Sequence, residues 1–540
     1  MNKRLPRMLY ALCLAVFVIG ALVRLNLQNR YTLPTLEILA LPHSSDLFTR
    51  LISAFHQGYY PPLPSWLAIL SSALVGEVYR NAAALLLSLP IATSLLILAL
   101  YRIQGNPRFG WVAAGTYLCL PIVWETAVFP YTDLAMTVSL AAACVFLELG
   151  RRNRGWLLHI MAGVFLGLGM LTKWTFVIFA APWALYAAAE GYGRGNETSS
   201  TFRRLLRFLT ISLAFFAVFS PWYFSQLHWP SLLQTMGDDP NLLGTGPIAR
   251  IFSIANMLGR DMFGAWPIHY LFIVWLVALA GILVLGKGKS DFDLRRARIF
   301  ALAVWLVPMG IVASMPHVEE RYLMVMALGL VLIPSFLLKG LQKKTAPAAL
   351  LISLWIISAL FGVVSELSAT VRILSDPSAH TTKWYHPEIP KVRQWFFSLA
   401  VRDPDFAAEG LASHPIYQFF GGRTTLQWIL KDAGAIPTEI IDEHAYADFV
   451  QDLRAKRTRF QYLLTNCACT GDCIEINRKF YEDLVKATPN GYQMPCGGTH
   501  HKPTGDEPLG DDCPMITRDF EIYSSLDAGD QTLYLWRTKR

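Results

Sequence analysis

The sequence predicts an α-helical polytopic membrane protein of about eleven spans, followed by an extracytoplasmic mixed α/β domain. Three observations lead there. Of 540 residues, 54% are hydrophobic and only 16% are charged, a balance that a soluble chain of this length does not keep. Apolar runs long enough to cross a bilayer, about 20 residues each, recur from residue 8 to residue 365. Residues 366–540 then return to ordinary polarity, at a length that suits one further domain.

The elements follow in order. The basic start "MNKRLPR" precedes "MLYALCLAVFVIGALV". No small-residue cleavage site leads into a polar mature chain, so this reads as an uncleaved first span that begins in the cytoplasm. Further spans are expected at 82–101, 109–125, 133–149, 156–171, 174–189, 205–222, 268–286, 298–315, 322–338 and 346–365. Every second loop is basic: "YRIQGNPR", "RRNRG", "GRGNETSSTFRR", "GKGKSDFDLRRARI" and "KGLQKK". The positive-inside rule places these loops and the N-terminus in the cytoplasm. The apolar part of "PPLPSWLAILSSALVGEVYR", residues 63–76, is too short to cross, and counting it would invert every later loop. It reads as a helix in the outer interface or half-inserted against protein. The C-terminal domain then lies outside. The net charge of +8 comes mostly from the inner loops. No Lys/Arg cluster interleaved with aromatics points to nucleic acid.

In the tail, "RFQYLLTN" and "QTLYLWRT" read as strands and "HAYADFVQDLRAKR" as an amphipathic helix. The stretch "TPNGYQMPCGGTHHKPTGDEPLGDDCP" reads as a pinned loop. Cys13, Cys119 and Cys144 fall in apolar spans, while Cys467, Cys469, Cys473, Cys496 and Cys513 fall in the tail. An oxidising compartment favours two disulfides with one thiol left over. A metal site helped by "GGTHH" is the rival, but "CACTGDC" lacks the paired spacing of common zinc modules. Neither a nucleophile elbow nor a phosphate-binding glycine loop occurs there.

The unusual polar residues gather on the outer face of this topology. Asp46 lies in the first outer loop, and Glu77 and Arg80 follow the interfacial helix. Asp133, in "FPYTDLAMT", opens its span, where Thr132 or Asp133 can also cap the helix. Lys173 sits in the tight turn "LTKWTF"; His317, Glu319, Glu320 and Arg321 form the turn "MPHVEERY". Ionisable side chains at membrane depth are costly and point to a site, although Lys173 and Arg321 could instead snorkel to headgroups. Outside the cytoplasm no nucleotide-sugar pool exists, so an activated substrate must arrive in the membrane. Cations would hold a lipid phosphate, and a carboxylate would deprotonate an attacking hydroxyl.

Over residues 8–365 the sequence resembles the GT-C glycosyltransferases, specifically those similar to protein O-mannosyltransferases and the lipid A aminoarabinose transferase. The resemblance rests on Asp46, on "YYPPLPSWL" where the family often has a His-Pro-Pro-Leu-like motif, on Glu77 with Arg80, on "PYTD", on "GLGMLTKW" and on "PHVEERY". It implies a polyprenyl-phosphate-linked sugar as donor, inversion at the anomeric carbon, and Asp46 as the base. Asp133 would be a second acid that orients acceptor, donor or a divalent metal. Lys173 and Arg321 would bind the donor phosphate beside His317, with Glu320, Arg80, Glu77 and Tyr60 completing the substrate-binding set. Tyr60 stands where many members have His, and Asp46 lacks the adjacent Glu of the mannosyltransferases. The acceptor, whether lipid, glycan or protein, and the metal requirement stay open. A transporter or flippase would more often show repeats and midplane charges; a scaffold displaying the tail would need neither Asp46 nor Lys173.

Overall fold

The computed structural model describes residues 4–27, 47–56, 61–75, 84–127, 132–153, 155–180, 198–225, 298–314, 323–341, 345–376 and 388–403. In the tail it describes residues 406, 411–413, 440–442, 454–455, 461–465, 468–470, 513–527 and 532–539. The chain divides into two compact units: residues 1–27, 46–71 and 82–377 form one, and residues 28–45, 72–81 and 378–540 the other.

The first unit is helical. Its elements are α1 (Leu5–Leu27), α2 (Leu47–His56), α3 (Leu63–Val75, of which residues 72–75 are counted with the other unit), α4 (Ser88–Ile103), α5 (Pro107–Leu118), α6 (Pro121–Ala127), α7 (Thr132–Asn153) and α8 (Trp156–Met170). A 3₁₀ turn (Trp174–Phe176) follows, then α9 (Thr198–Ser225), a π-helical segment (Leu302–Leu306) running into α10 (Val307–Ser314), α11 (Leu323–Leu341) and α12 (Thr345–Ser375). Among the described residues five helices are long and apolar enough to cross a membrane: Leu5–Leu25, Ala84–Ile103, Asp133–Arg152, Leu205–Ser225 and Ser353–Ser375. Trp156–Met170 and Leu323–Ser335 are shorter apolar helices. The expected spans at 174–189 and 268–286 lie wholly or largely outside the described residues. The last helix continues to Ser375, past the boundary expected at 365.

One expected span is not continuous. Instead of a single helix over 109–125, α5 ends at Leu118 and α6 begins at Pro121. Proline has no N–H to give to an earlier turn and pushes the residue before it out of helical geometry, but it is well suited to a helix start. The Cys119 N–H closes α5 by bonding back to the carbonyls of Gly115 and Thr116.

Side chains pack this bundle closely. Helix α1 lies against α5 and α12, α4 against α5 and α7, and α8 between α7 and α9. A methyl group at Gly163 would collide with the Ile211 carbonyl of α9, so the small residues of "AGVFLGLG" let two backbones approach. By contrast only 17% of the apolar window of α9 is buried. Buried hydroxyls find partners within the bundle: Tyr10 with Ser94 at 3.1 Å, and Tyr101 donating to the Val331 carbonyl at 2.8 Å. Near the end of α7, Glu148 accepts from Gln104 at 2.9 Å and from Arg151 at 3.3 Å.

The second unit holds α13 (Glu388–Arg402), β1 (Leu411–Ser413), β2 (Ile440–Asp442), β3 (Tyr462–Thr465), α14 (Cys513–Asp519), β4 (Phe520–Asp527) and β5 (Thr532–Thr538). The strands form one sheet in the order β2-β1-β3-β5-β4, with β1 parallel to both β2 and β3, and β5 antiparallel to both β3 and β4. The two strands expected from sequence are thus β3 and β5, paired Tyr462 to Arg537. Val392, Trp395, Phe396 and Leu399 of α13 are buried, and the Trp395 indole donates to Ser524 at 2.9 Å. Asp403 accepts from Tyr523 at 2.9 Å and from Tyr462 at 3.3 Å. A disulfide joins Cys469, just after β3, to Cys513 at the start of α14. Cys467, Cys473 and Cys496 lie outside the described residues, as does nearly all of the expected helix at 444–457. Cys13, Cys119 and Cys144 are buried free thiols of the helical unit.

Candidate active site

The α7–α8 hairpin brings an acid and a base together. Asp133 falls in the first turn of α7, where a carboxylate offsets the positive end of the helix dipole. Helix α8 returns the chain to the same end and stops at Met170. The turn after it is fixed by backbone bonds from Leu171 to Gly167, Thr172 to Gly169, and Phe176 to Lys173. Gly169 makes room for this turn, because any side chain there would strike the Phe176 ring. Lys173, at the tip, reaches within 3.7 Å of Asp133. Asp133 is 0% exposed and Lys173 6%.

At 3.7 Å the pair is an ion pair longer than a hydrogen bond. Removing both charges from water costs several kcal/mol per ion, by order of magnitude, and such a pair is weak evidence for stability. An ammonium carries three donors, so Lys173 can meet an anion while Asp133 neutralises it. One turn further along α7, the Tyr117 hydroxyl donates to Thr137 at 3.3 Å.

One other predicted motif borders this turn. The backbone N–H of Leu63, in "YYPPLPSWL", donates to the Leu171 carbonyl at 3.0 Å. This joins a free donor at the start of α3 to a free acceptor at the end of α8. Pro61 and Pro62 are buried beside it. Helix α3 in turn holds α2: the Trp66 indole N–H donates to the Leu51 carbonyl at 2.9 Å, and Trp66 stacks on Phe55 with centroids 6.3 Å apart. Thr126, near the end of α6, contacts the Met324 sulfur at 3.2 Å, at the start of α11. Asp133 and Lys173 are therefore brought together; Asp46, Tyr60, Glu77, Arg80, His317, Glu320 and Arg321 lie outside the described residues. Among the described residues no group of three or more His, Cys, Asp or Glu is placed to hold a metal ion.

The sequence did not point to a second buried ion pair. Arg24 of α1 makes a two-pronged pair with Glu366 of α12, one prong being 2.8 Å, and its guanidinium lies 4.4 Å from the centre of the Trp124 ring. Both residues sit near the ends of apolar runs, which gives a signal for each charge but none for the pairing.

Structural comparison resolves what kind of bundle this is. ArnT from Cupriavidus metallidurans in the apo state superposes with a TM-score of 0.57 over 97% of this chain and 97% of its own, at 13% sequence identity. The same protein bound to undecaprenyl phosphate gives 0.55 over 99% and 98%, at 12% identity. The fold is GT-C. Residues 60–224 of this GT-C chain also match the family of dolichyl-phosphate-mannose-protein mannosyltransferases. That segment runs from Tyr60 to the end of α9 and contains both Asp133 and Lys173. The chain is thus an integral membrane protein of GT-C fold, similar over residues 60–224 to that mannosyltransferase family. No curated protein matches it in sequence.

Proposed function

We propose that the chain is an inverting glycosyltransferase, which moves a sugar from a polyprenyl-phosphate donor to an acceptor hydroxyl at the outer face of the membrane. The observation that carries this reading is the buried Asp133–Lys173 pair, which lies inside the segment matching the mannosyltransferases. The undecaprenyl phosphate bound by the ArnT of the same fold supports a lipid phosphate as the donor's carrier.

In this reading Lys173, with Arg321 and His317 of the later turn, holds the donor phosphate. Asp133 keeps the Lys173 ammonium charged and aimed. Asp46 takes the proton of the acceptor hydroxyl as its oxygen attacks the anomeric carbon. The bond from that carbon to the phosphate oxygen breaks, and the polyprenyl phosphate leaves as an anion. Such a leaving group needs charge neutralisation more than a proton, which suits cations without a general acid. Tyr60, Glu77, Arg80 and Glu320 complete the substrate pocket. The charge order of the loops supports a cytoplasmic N-terminus and an external tail.

The test compares envelope glycolipids and glycoproteins, by mass spectrometry, from cells with and without the gene. A sugar modification lost on deletion should return with wild-type protein and not with an Asp46→Asn variant expressed at the same level. Restoration by that variant would sink the mechanism. An unchanged envelope would sink the enzymatic reading.

A further inference from the structure

Just beyond Lys173 the same turn carries a hydroxyl that the fold leaves unused. Other buried threonines of this unit give their O–H back to their own helix: Thr93 to the Leu89 carbonyl at 3.1 Å, Thr116 to Val112 at 2.9 Å and Thr137 to Leu134 at 2.7 Å. Thr172, in this very turn, does the same with Gly169. Thr175 does not. It is 4% exposed, and among the described residues its Oγ1 has no hydrogen-bond partner. The local chain accounts for this. Helix α8 ends at Met170, so Thr175 lies in the short 3₁₀ turn (Trp174–Phe176) and not within an α-helix. The carbonyl four residues back, that of Leu171, accepts the Leu63 N–H at 3.0 Å. A hydroxyl buried in this way loses its bonds to water and gains none in return. Such a group in a native fold calls for a physical reason.

Lys173 supplies one. Its Cα and that of Thr175 are separated by no more than about 7 Å of chain, and the Phe176 N–H bond to the Lys173 carbonyl at 3.0 Å folds both into one tight turn. That turn is held firmly from outside. The Met170 carbonyl accepts the Tyr223 O–H of α9 at 3.3 Å, as the Leu171 carbonyl accepts from α3. Phe176, fully buried, fills the space that Gly169 leaves. We infer that Thr175 is a further phosphate-binding residue: its O–H donates to an oxygen of the donor phosphate whose charge the Lys173 ammonium neutralises. The inference rests on the reading of Lys173 given above. A phosphate presents several acceptor oxygens, and a second donor fixes its orientation as well as its charge. A hydroxyl donor is strongest toward an anion in a site that excludes water, and both residues are buried. The hydroxyl is unsatisfied until the phosphate arrives, so what its burial withholds from folding appears as affinity.

Thr175→Val is the discriminating variant, because it keeps the branched shape and removes only the hydroxyl. The purified full chain is compared as wild type, Thr175→Val, Thr175→Ser and Lys173→Gln. Two quantities are measured in one detergent: the melting temperature without lipid, and the affinity for undecaprenyl phosphate. Thr175→Val should melt at or above the wild-type temperature, since it deletes an unsatisfied buried group, yet bind the lipid phosphate about tenfold more weakly or worse. Thr175→Ser, which keeps the donor, should bind within about threefold of wild type. Stability and affinity thus move in opposite directions, which a structural role for the hydroxyl would not produce. A Thr175→Val protein that binds like wild type, or one that melts well below it, would overturn the inference, and so would a serine variant as weak as the valine. The Lys173→Gln arm separates the two levels. If it binds weakly while Thr175→Val binds normally, only the threonine's role falls. If it binds like wild type, the phosphate reading of the turn falls and this role with it.

Discussion

At the scale of single residues, the Asp133–Lys173 pair unites two functions that are hard to separate by sequence. An acid in the first turn of an apolar helix offsets its dipole, and a lysine at a hairpin tip can reach headgroups. Their burial and separation of 3.7 Å tie them to each other instead. Replacing Lys173 by Gln should weaken binding of undecaprenyl phosphate by about 30- to 150-fold, the equivalent of about 2–3 kcal/mol for a charge-assisted phosphate contact. Asp133→Asn should weaken it less, because the ammonium remains although its neutralising partner is gone. The double variant should bind no worse than Lys173→Gln, since Asp133 acts on the phosphate only through the lysine. Titration of the four proteins in detergent measures this coupling. Additive losses would mean that the carboxylate acts on the ligand independently.

At the scale of elements, the bundle depends on charges and small residues that bring helices together. Arg24 and Glu366 bind the first helix to the last described helix of the unit, under Trp124 of α6. Arg24→Met should leave the Glu366 carboxylate buried without its guanidinium, at a cost of about 3–5 kcal/mol. The double variant Arg24→Met with Glu366→Leu should recover most of that loss, because an apolar pair of similar volume does not pay desolvation. Thermal denaturation in one detergent compares the three proteins, and equal loss in the single and double variants would refute this account. The same elements show what the sequence could convey. Helices α1, α7 and α12 were readable from apolar length, and β3 and β5 from aromatic and β-branched runs between polar breaks. The break between α5 and α6 was signalled by Pro121 but outweighed by the apolar run around it. The pairing of Arg24 with Glu366, 342 residues apart, was not readable, because each charge is local while the contact depends on how the whole bundle closes. In the site, charge at membrane depth singled out Asp133 and Lys173; the Leu63–Leu171 joint is a backbone bond and leaves no side-chain signature.

At the scale of the whole molecule, the proposed site depends on the parity of membrane crossings. Helix α3 has 13 residues and spans about 20 Å at 1.5 Å per residue, short of the roughly 30 Å hydrocarbon core. Its start is bonded to Leu171, at the Lys173 end of α8. If α3 does not cross, the basic loops fall on one side of the membrane, and Asp133, Lys173 and the tail on the other. The Cys469–Cys513 disulfide supports the same side for the tail on separate grounds, since such bonds persist in oxidising compartments. A reporter inserted after Gly340 should therefore read as cytoplasmic and one after Asp405 as external, with α12 as the single crossing between them. The loop "GRGNETSSTFRR" should resist labelling from outside in intact cells. Labelling of that loop would mean that α3 crosses after all. The lysine turn would then face the cytoplasm, where nucleotide-activated sugars are available, and the argument for a lipid-borne donor would lose its premise.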